Sequence, residues 1–138
     1  MGYVIEWARA FALTAAIEIV IAMLLFTRVL EVTLEQEPRA AEGPHPGVDP
    51  ARLARLGALI FYANLASHPA VWFVFPNLGL SYPTMVLAAE LWAVASEAVF
   101  YWLVFCNFKF TPAAGVSLVA NGSSFGIGLL VREWTGWV

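Results

Sequence analysis

Residues 83–105 read PTMVLAAELWAVASEAVFYWLVF. The stretch matches the roughly 20 apolar residues that a helix needs to cross about 30 Å of hydrocarbon. Its only charged side chains are Glu90 and Glu97. Their seven-residue separation is two helical turns, so both carboxyls lie on one face, about 10 Å apart along the axis. A charge at bilayer depth costs at least about 2.5–3.5 kcal/mol on insertion scales, so such a face is expected to turn toward other helices.

Working outward, residues 3–30, 53–75 and 112–131 are also long and apolar enough to span. The expectation is an all-α protein: a single polytopic domain over residues 1–138, built as a four-transmembrane-helix bundle. Composition agrees, since the chain is 61% hydrophobic and only 12% charged, against about 25% charged in soluble domains. That scarcity excludes a disordered or fibrous chain, and the net charge of −3 excludes a nucleic-acid partner. The partner it implies is the lipid bilayer. Asp49-Pro50, Ser81-Tyr82-Pro83 and Thr111-Pro112 read as helix starts, with a polar cap followed by a proline whose missing N–H costs nothing there. Residues 32–48, with their prolines and glutamates, read as a mobile loop that includes a solvated His45. The first residues carry no basic n-region, so no signal peptide is expected. The lone Cys106 reads as a small buried hydrophobe.

The cations set an orientation. Arg28, Arg39, Arg52, Arg55 and Lys109 fall on one side, and Arg9 and Arg132 on the other. By the positive-inside rule the long loop is cytoplasmic and both termini lie outside a cell inner membrane. Tyr3, Trp7, Trp72, Tyr82, Trp134 and Trp137 would then form an outer aromatic belt. Glu6 with Arg9, and Arg28 with Glu31, read as interfacial helix pairs.

Each span carries a polar line: Glu18 on the first, Asn64 and His68 on the second, Glu90 and Glu97 on the third, Ser117, Asn121 and Ser124 on the fourth. At 1.5 Å per residue, Glu18, Asn64 and Asn121 fall near the midplane. His68 and Glu90 fall roughly 6 Å toward the outer side, and Glu97 on the cytoplasmic side of centre. The expected contact is a His68–Glu90 hydrogen bond or ion pair within a ladder crossing most of the membrane. Pro69 frees the Leu65 carbonyl and predicts a break in the second helix beside His68. The alternative for all these groups is interhelical bonding alone, worth around 0.6–2 kcal/mol per bond. On the fourth span Gly122 and Gly126 have GxxxG spacing, read first as packing inside the bundle, with Ala89, Ala93 and Ala98 receiving it, and second as a homo-oligomer face.

The strings Asn64-x3-His68-Pro69, Glu90-x6-Glu97-Ala98 and Ser117-x3-Asn121-x2-Ser124-Phe125-x2-Gly128 resemble motifs of small bacterial and archaeal four-helix membrane proteins to which no activity is attached. The resemblance covers the second to fourth helices and implies a shared polar interior. The small multidrug transporters also have four helices and one carboxyl in the first, as Glu18 is here, but they lack two acids in the third.

Three functions follow as expectations. In the first, Glu18, Asn64, His68, Glu90, Glu97, Asn121 and Ser124 bind or transport a cation or protons, with a homodimer or partner subunit completing the pathway. In the second, the chain is an accessory or scaffold subunit of a larger membrane complex. In the third, a membrane-embedded metalloenzyme holds a divalent cation on His68, Glu90 and Glu97. No HExxH and no nucleophile beside a base support an enzyme, which places the third reading last.

Overall fold

A computed structural model describes residues 2–29, 50–105 and 108–136. The expected loop 32–48 with His45, the Arg28–Glu31 pair, the helix start at Asp49, Cys106 and Trp137 fall outside the described residues. Four helices make up the fold: α1 (Gly2–Leu24, continued by a π-helical turn, Leu25–Val29), α2 (Pro50–Phe73, followed by a short 3-10 turn, Phe75–Asn77), α3 (Tyr82–Val104) and α4 (Phe110–Thr135). All four are long and apolar enough to span a bilayer. The chain is an all-α four-helix bundle of the multi-pass membrane class.

The solvent of this fold is hydrocarbon, and the distribution of side chains shows it. Leu87, Leu91, Leu103 and Leu118 are all more than 60% exposed, whereas Glu18 is 0% and Glu97 1% exposed. Between the helices lie mostly alanines: Ala10, Ala15, Ala22, Ala63, Ala89, Ala93, Ala98, Ala113 and Ala120 are buried. Small residues let backbones approach closely where lipid competes equally well for large apolar groups. The packing closes a ring, with α1 and α3 each set against both α2 and α4.

The helix starts differ in detail from the expected ones. Ser81 is the N-cap of α3, but its hydroxyl pairs with Thr84 Oγ1 at 2.8 Å instead of with the backbone. Lys109 takes the N-cap of α4, so Thr111 and Pro112 lie inside the first turn. Proline is tolerated there because the first-turn N–H groups have no intrahelical partner. At the other end Gly136, at φ 63°, closes α4 with its N–H on the Arg132 carbonyl. A left-handed residue at this position suits glycine. The expected break at Pro69 does not occur: α2 is continuous from Pro50 to Phe73.

The glycine face is also corrected. The buried residues of α4 are Ala113, Val116, Ser117, Ala120, Asn121 and Ser124, a stripe at helical spacing. Gly122 and Gly126 each stand two positions past a buried residue, about 200° around the helix, and a Cβ added at either meets nothing within 4 Å. Ala89, Ala93 and Ala98 therefore pack without them. Gly122→Leu is expected to leave bundle stability within about 1 kcal/mol of the wild type, the helix-propensity difference being of that size. A denaturation titration showing a loss above about 2 kcal/mol would place Gly122 against the bundle after all.

Candidate functional site

The polar groups of α2, α3 and α4 meet at Glu97. Ser67 Oγ on α2 donates to Glu97 Oε1 at 3.0 Å. On α4, Asn121 Nδ2 donates to Glu97 Oε2 at 2.7 Å and Ser117 Oγ lies 3.3 Å from the same atom. Each donor also has a backbone acceptor close by: Asn64 O for Ser67 (3.1 Å), Val94 O for Ser117 (3.0 Å) and Ser117 O for Asn121 (3.0 Å). Helical spacing makes this convergence. Ser67 follows Asn64 by three, and Ser117, Asn121 and Ser124 stand at i, i+4 and i+7, so each set occupies one face. Glu97 is thus a carboxyl with both oxygens satisfied.

Glu18 is not. Ser124 Oγ donates to its Oε1 at 2.6 Å, and the Asn64 side chain approaches the carboxyl. The other oxygen, Oε2, is buried without a hydrogen-bond partner. Buried polar groups are paired in the great majority of cases, so the orphan oxygen of a wholly buried acid is an exception that requires a physical reason. Glu18 also lies within electrostatic reach of Glu97 and Glu90.

Above Glu18, toward the end of the bundle that carries Gly2 and Gly136, a cavity of about 240 Å³ opens between all four helices. That is room for about eight waters at roughly 30 Å³ each. Its lining includes Glu18, Asn121 and Ser124 deep inside, Thr14, His68 and Glu90 on the walls, and Arg132 in the last turn of α4. The remaining wall is apolar, with Leu13, Val71, Trp72, Phe125 and Leu129.

His68 and Glu90 line this cavity together but do not bond to each other. The Trp7 indole N–H donates to His68 Nδ1 at 3.2 Å. The imidazole is packed edge-to-face on Phe11 and parallel to Trp72. Trp7 and Phe11 hold His68 to α1, which corrects the expected His68–Glu90 pair. With Nδ1 accepting, the neutral ring carries its proton on Nε2. Glu90 makes no hydrogen bond among the described residues. The aromatic belt is thus partly a wall: Tyr3 bonds the Trp72 carbonyl at 2.6 Å, and Trp7 and Trp72 are half-buried, while Tyr82 and Trp134 are exposed.

Below Glu97 the polar line stops. Tyr101, one turn further along α3, is buried with its hydroxyl unpartnered; Phe26 and Phe105 pack against it, and Phe108 packs against those two. The Phe26 ring lies 5.3 Å from Tyr101, 4.8 Å from Phe105 and 5.6 Å from Phe108, centroid to centroid. The expected ladder across most of the membrane is therefore a cavity closed at the loop end by an aromatic plug.

Of the residues expected at the site, Glu18, His68, Glu90, Asn121 and Ser124 line the cavity, Glu97 is knotted behind it, and Asn64 is buried beside Glu18. The proposed metal ligands His68, Glu90 and Glu97 are not brought together. Glu97 is committed to hydroxyl and amide donors, and among the described residues no group of three His, Cys, Asp or Glu side chains is placed to hold a metal. Sequence reading missed Ser67, Thr14, Trp7 and Arg132. Ser67 had a signal, since it shares the helical face of Asn64 and His68. The other three had none, because their roles arise from contacts between helices. Comparison with protein-family models, curated proteins and solved structures gives no match.

Proposed function

We propose that this protein binds a cation, or exchanges a proton for one, at Glu18. One observation carries the reading: a fully buried carboxyl with an unpartnered oxygen, at the inner end of a cavity that reaches one face of the bundle. Oε2 is the seat for the proton or the cation, and Glu90 is a second carboxyl on the way to it. Glu97 serves mainly to hold α2, α3 and α4 together. In this reading the membrane is the cell inner membrane, the termini and the cavity mouth face outward, and residues 32–48 are cytoplasmic, in keeping with the five cations at that end. Transport would require the aromatic plug to open.

The test is cation and proton titration of the purified protein in lipid nanodiscs, comparing wild type with Glu18→Gln. Glutamine retains the acceptor for Ser124, so the fold is preserved. Loss of one partner of a buried charge pair costs about 2–5 kcal/mol, so binding is expected to weaken by at least about thirtyfold. Superimposable titrations of the two proteins would overturn the reading. They would favour the second one, an accessory or scaffold subunit, which the fully bonded state of Glu97 supports.

A further inference from the structure

The cavity's shape and lining point to the kind of cation. We infer that the site takes a small organic ammonium ion, its charged head at Glu18 and Glu90 and its apolar body along Leu13, Val71, Trp72, Phe125 and Leu129; this rests on the cation-binding reading of Glu18.

An inorganic cation is poorly served here. Calcium requires six to eight oxygen ligands at about 2.3–2.6 Å, and magnesium a near-ideal octahedron. The cavity presents two carboxyls on different helices, the Thr14 and Ser124 hydroxyls, the Asn121 amide and an imidazole, dispersed over all four helices, and no metal-sized group of acids and histidines exists among the described residues. Of the carboxylate oxygens, three are already engaged: both of Glu97 by three donors, and Glu18 Oε1 by Ser124. A bare ion would lose its hydration shell against mostly apolar walls without recovering it.

An ammonium ion on a hydrocarbon body meets both halves of the lining. Its head needs only a few acceptors, and Glu18 Oε2, wholly buried and unpartnered, is one of them. Its body replaces cavity water against aliphatic and aromatic side chains, which is the ordinary division of labour in small-molecule sites. At about 240 Å³ the space falls below the 300–1,000 Å³ of pockets for drug-sized ligands, so the body is short. The charges also orient it. Arg132 is at the outer end of the lining and Glu18 at the inner end, so the field draws a cationic head inward and leaves the apolar end toward the mouth.

The test titrates nanodisc-embedded protein with ethyl-, butyl- and hexylammonium, with hexanol as the neutral control and sodium and calcium as inorganic probes. Calorimetry supplies the readout, with total tryptophan fluorescence, compared with that of Trp72→Phe, reporting occupation beside Trp72. Affinity is expected to rise about fourfold per methylene, from the transfer free energy of a buried CH₂, until the cavity is full. Hexanol should bind far more weakly than hexylammonium, and Glu18→Gln should abolish that difference. Gly128→Leu fills the cavity from a position where an added Cβ meets nothing within 4 Å, and should penalise hexylammonium more than ethylammonium. If sodium or calcium binds in a Glu18-dependent way and chain length has no effect, the ammonium assignment falls while cation binding at Glu18 stands. If no probe binds in a Glu18-dependent way, both fall.

Discussion

In a denaturation titration in bilayer mimetics, Glu97→Ala is expected to lower stability by about 3 kcal/mol, and Glu97→Gln by about 1 kcal/mol or less. Alanine removes three side-chain bonds, from Ser67, Ser117 and Asn121. None of these donors is orphaned, because each has a backbone carbonyl within 3.1 Å. The full penalty for an unsatisfied buried group therefore does not apply. Three interhelical bonds at about 0.6 kcal/mol each, with a void of roughly 50 Å³ at about 24 cal/mol per Å³, give the figure. Glutamine fits by directing its oxygen to Asn121 and Ser117 and its amide to Ser67, whose hydroxyl then turns to the Asn64 carbonyl. Equal losses for alanine and glutamine would show that the carboxyl acts through charge and not through this bonding pattern, and would remove the distinction drawn between Glu97 and Glu18.

That distinction was invisible in the sequence, although the fold was not. Four apolar stretches and three proline-marked helix starts carry enough local information to place every helix within a few residues, because hydrocarbon allows the backbone almost no alternative to helix. The inward turn of Glu18 and Glu97 followed from the cost of exposing them to lipid. What each acid then meets depends on the rotation and height of neighbouring helices. One helix's spacing says nothing of either. His68 illustrates it: helical arithmetic put it level with Glu90, and the two do share the cavity, but the Trp7 indole and the Phe11 ring on α1 captured the imidazole. Gly122 and Gly126 illustrate the converse. Their spacing permits close packing, but Ala120 and Ser124, two positions earlier, occupy the buried stripe instead. Proline removes one hydrogen bond and so predicts a break at Pro69, yet α2 runs through it unbroken, packed against α1 on one side and α3 on the other.

Phe26→Ala is expected to destabilise the bundle by about 3 kcal/mol and to open the cavity to the loop end. The ring is completely buried and touches Tyr101, Phe105 and Phe108 at once, so no single neighbour can collapse into its place. Phe→Ala in well-packed cores costs about 3–5 kcal/mol; the low end applies because an unfolded segment still rests in lipid as apolar as the core. Water entering the vacated space reaches the Tyr101 hydroxyl, which has no partner, and Glu97 lies one helical turn beyond it. The measurement is proton flux into liposomes holding a pH-sensitive dye. Phe26→Ala should leak where wild type and Phe26→Leu do not, and adding Glu18→Gln should restore the barrier if protons pass by that carboxyl. A folded Phe26→Ala protein that holds its gradient would show that the aromatic cluster is not what closes the cavity. A leak that survives Glu18→Gln would show that protons cross the bundle without using Glu18.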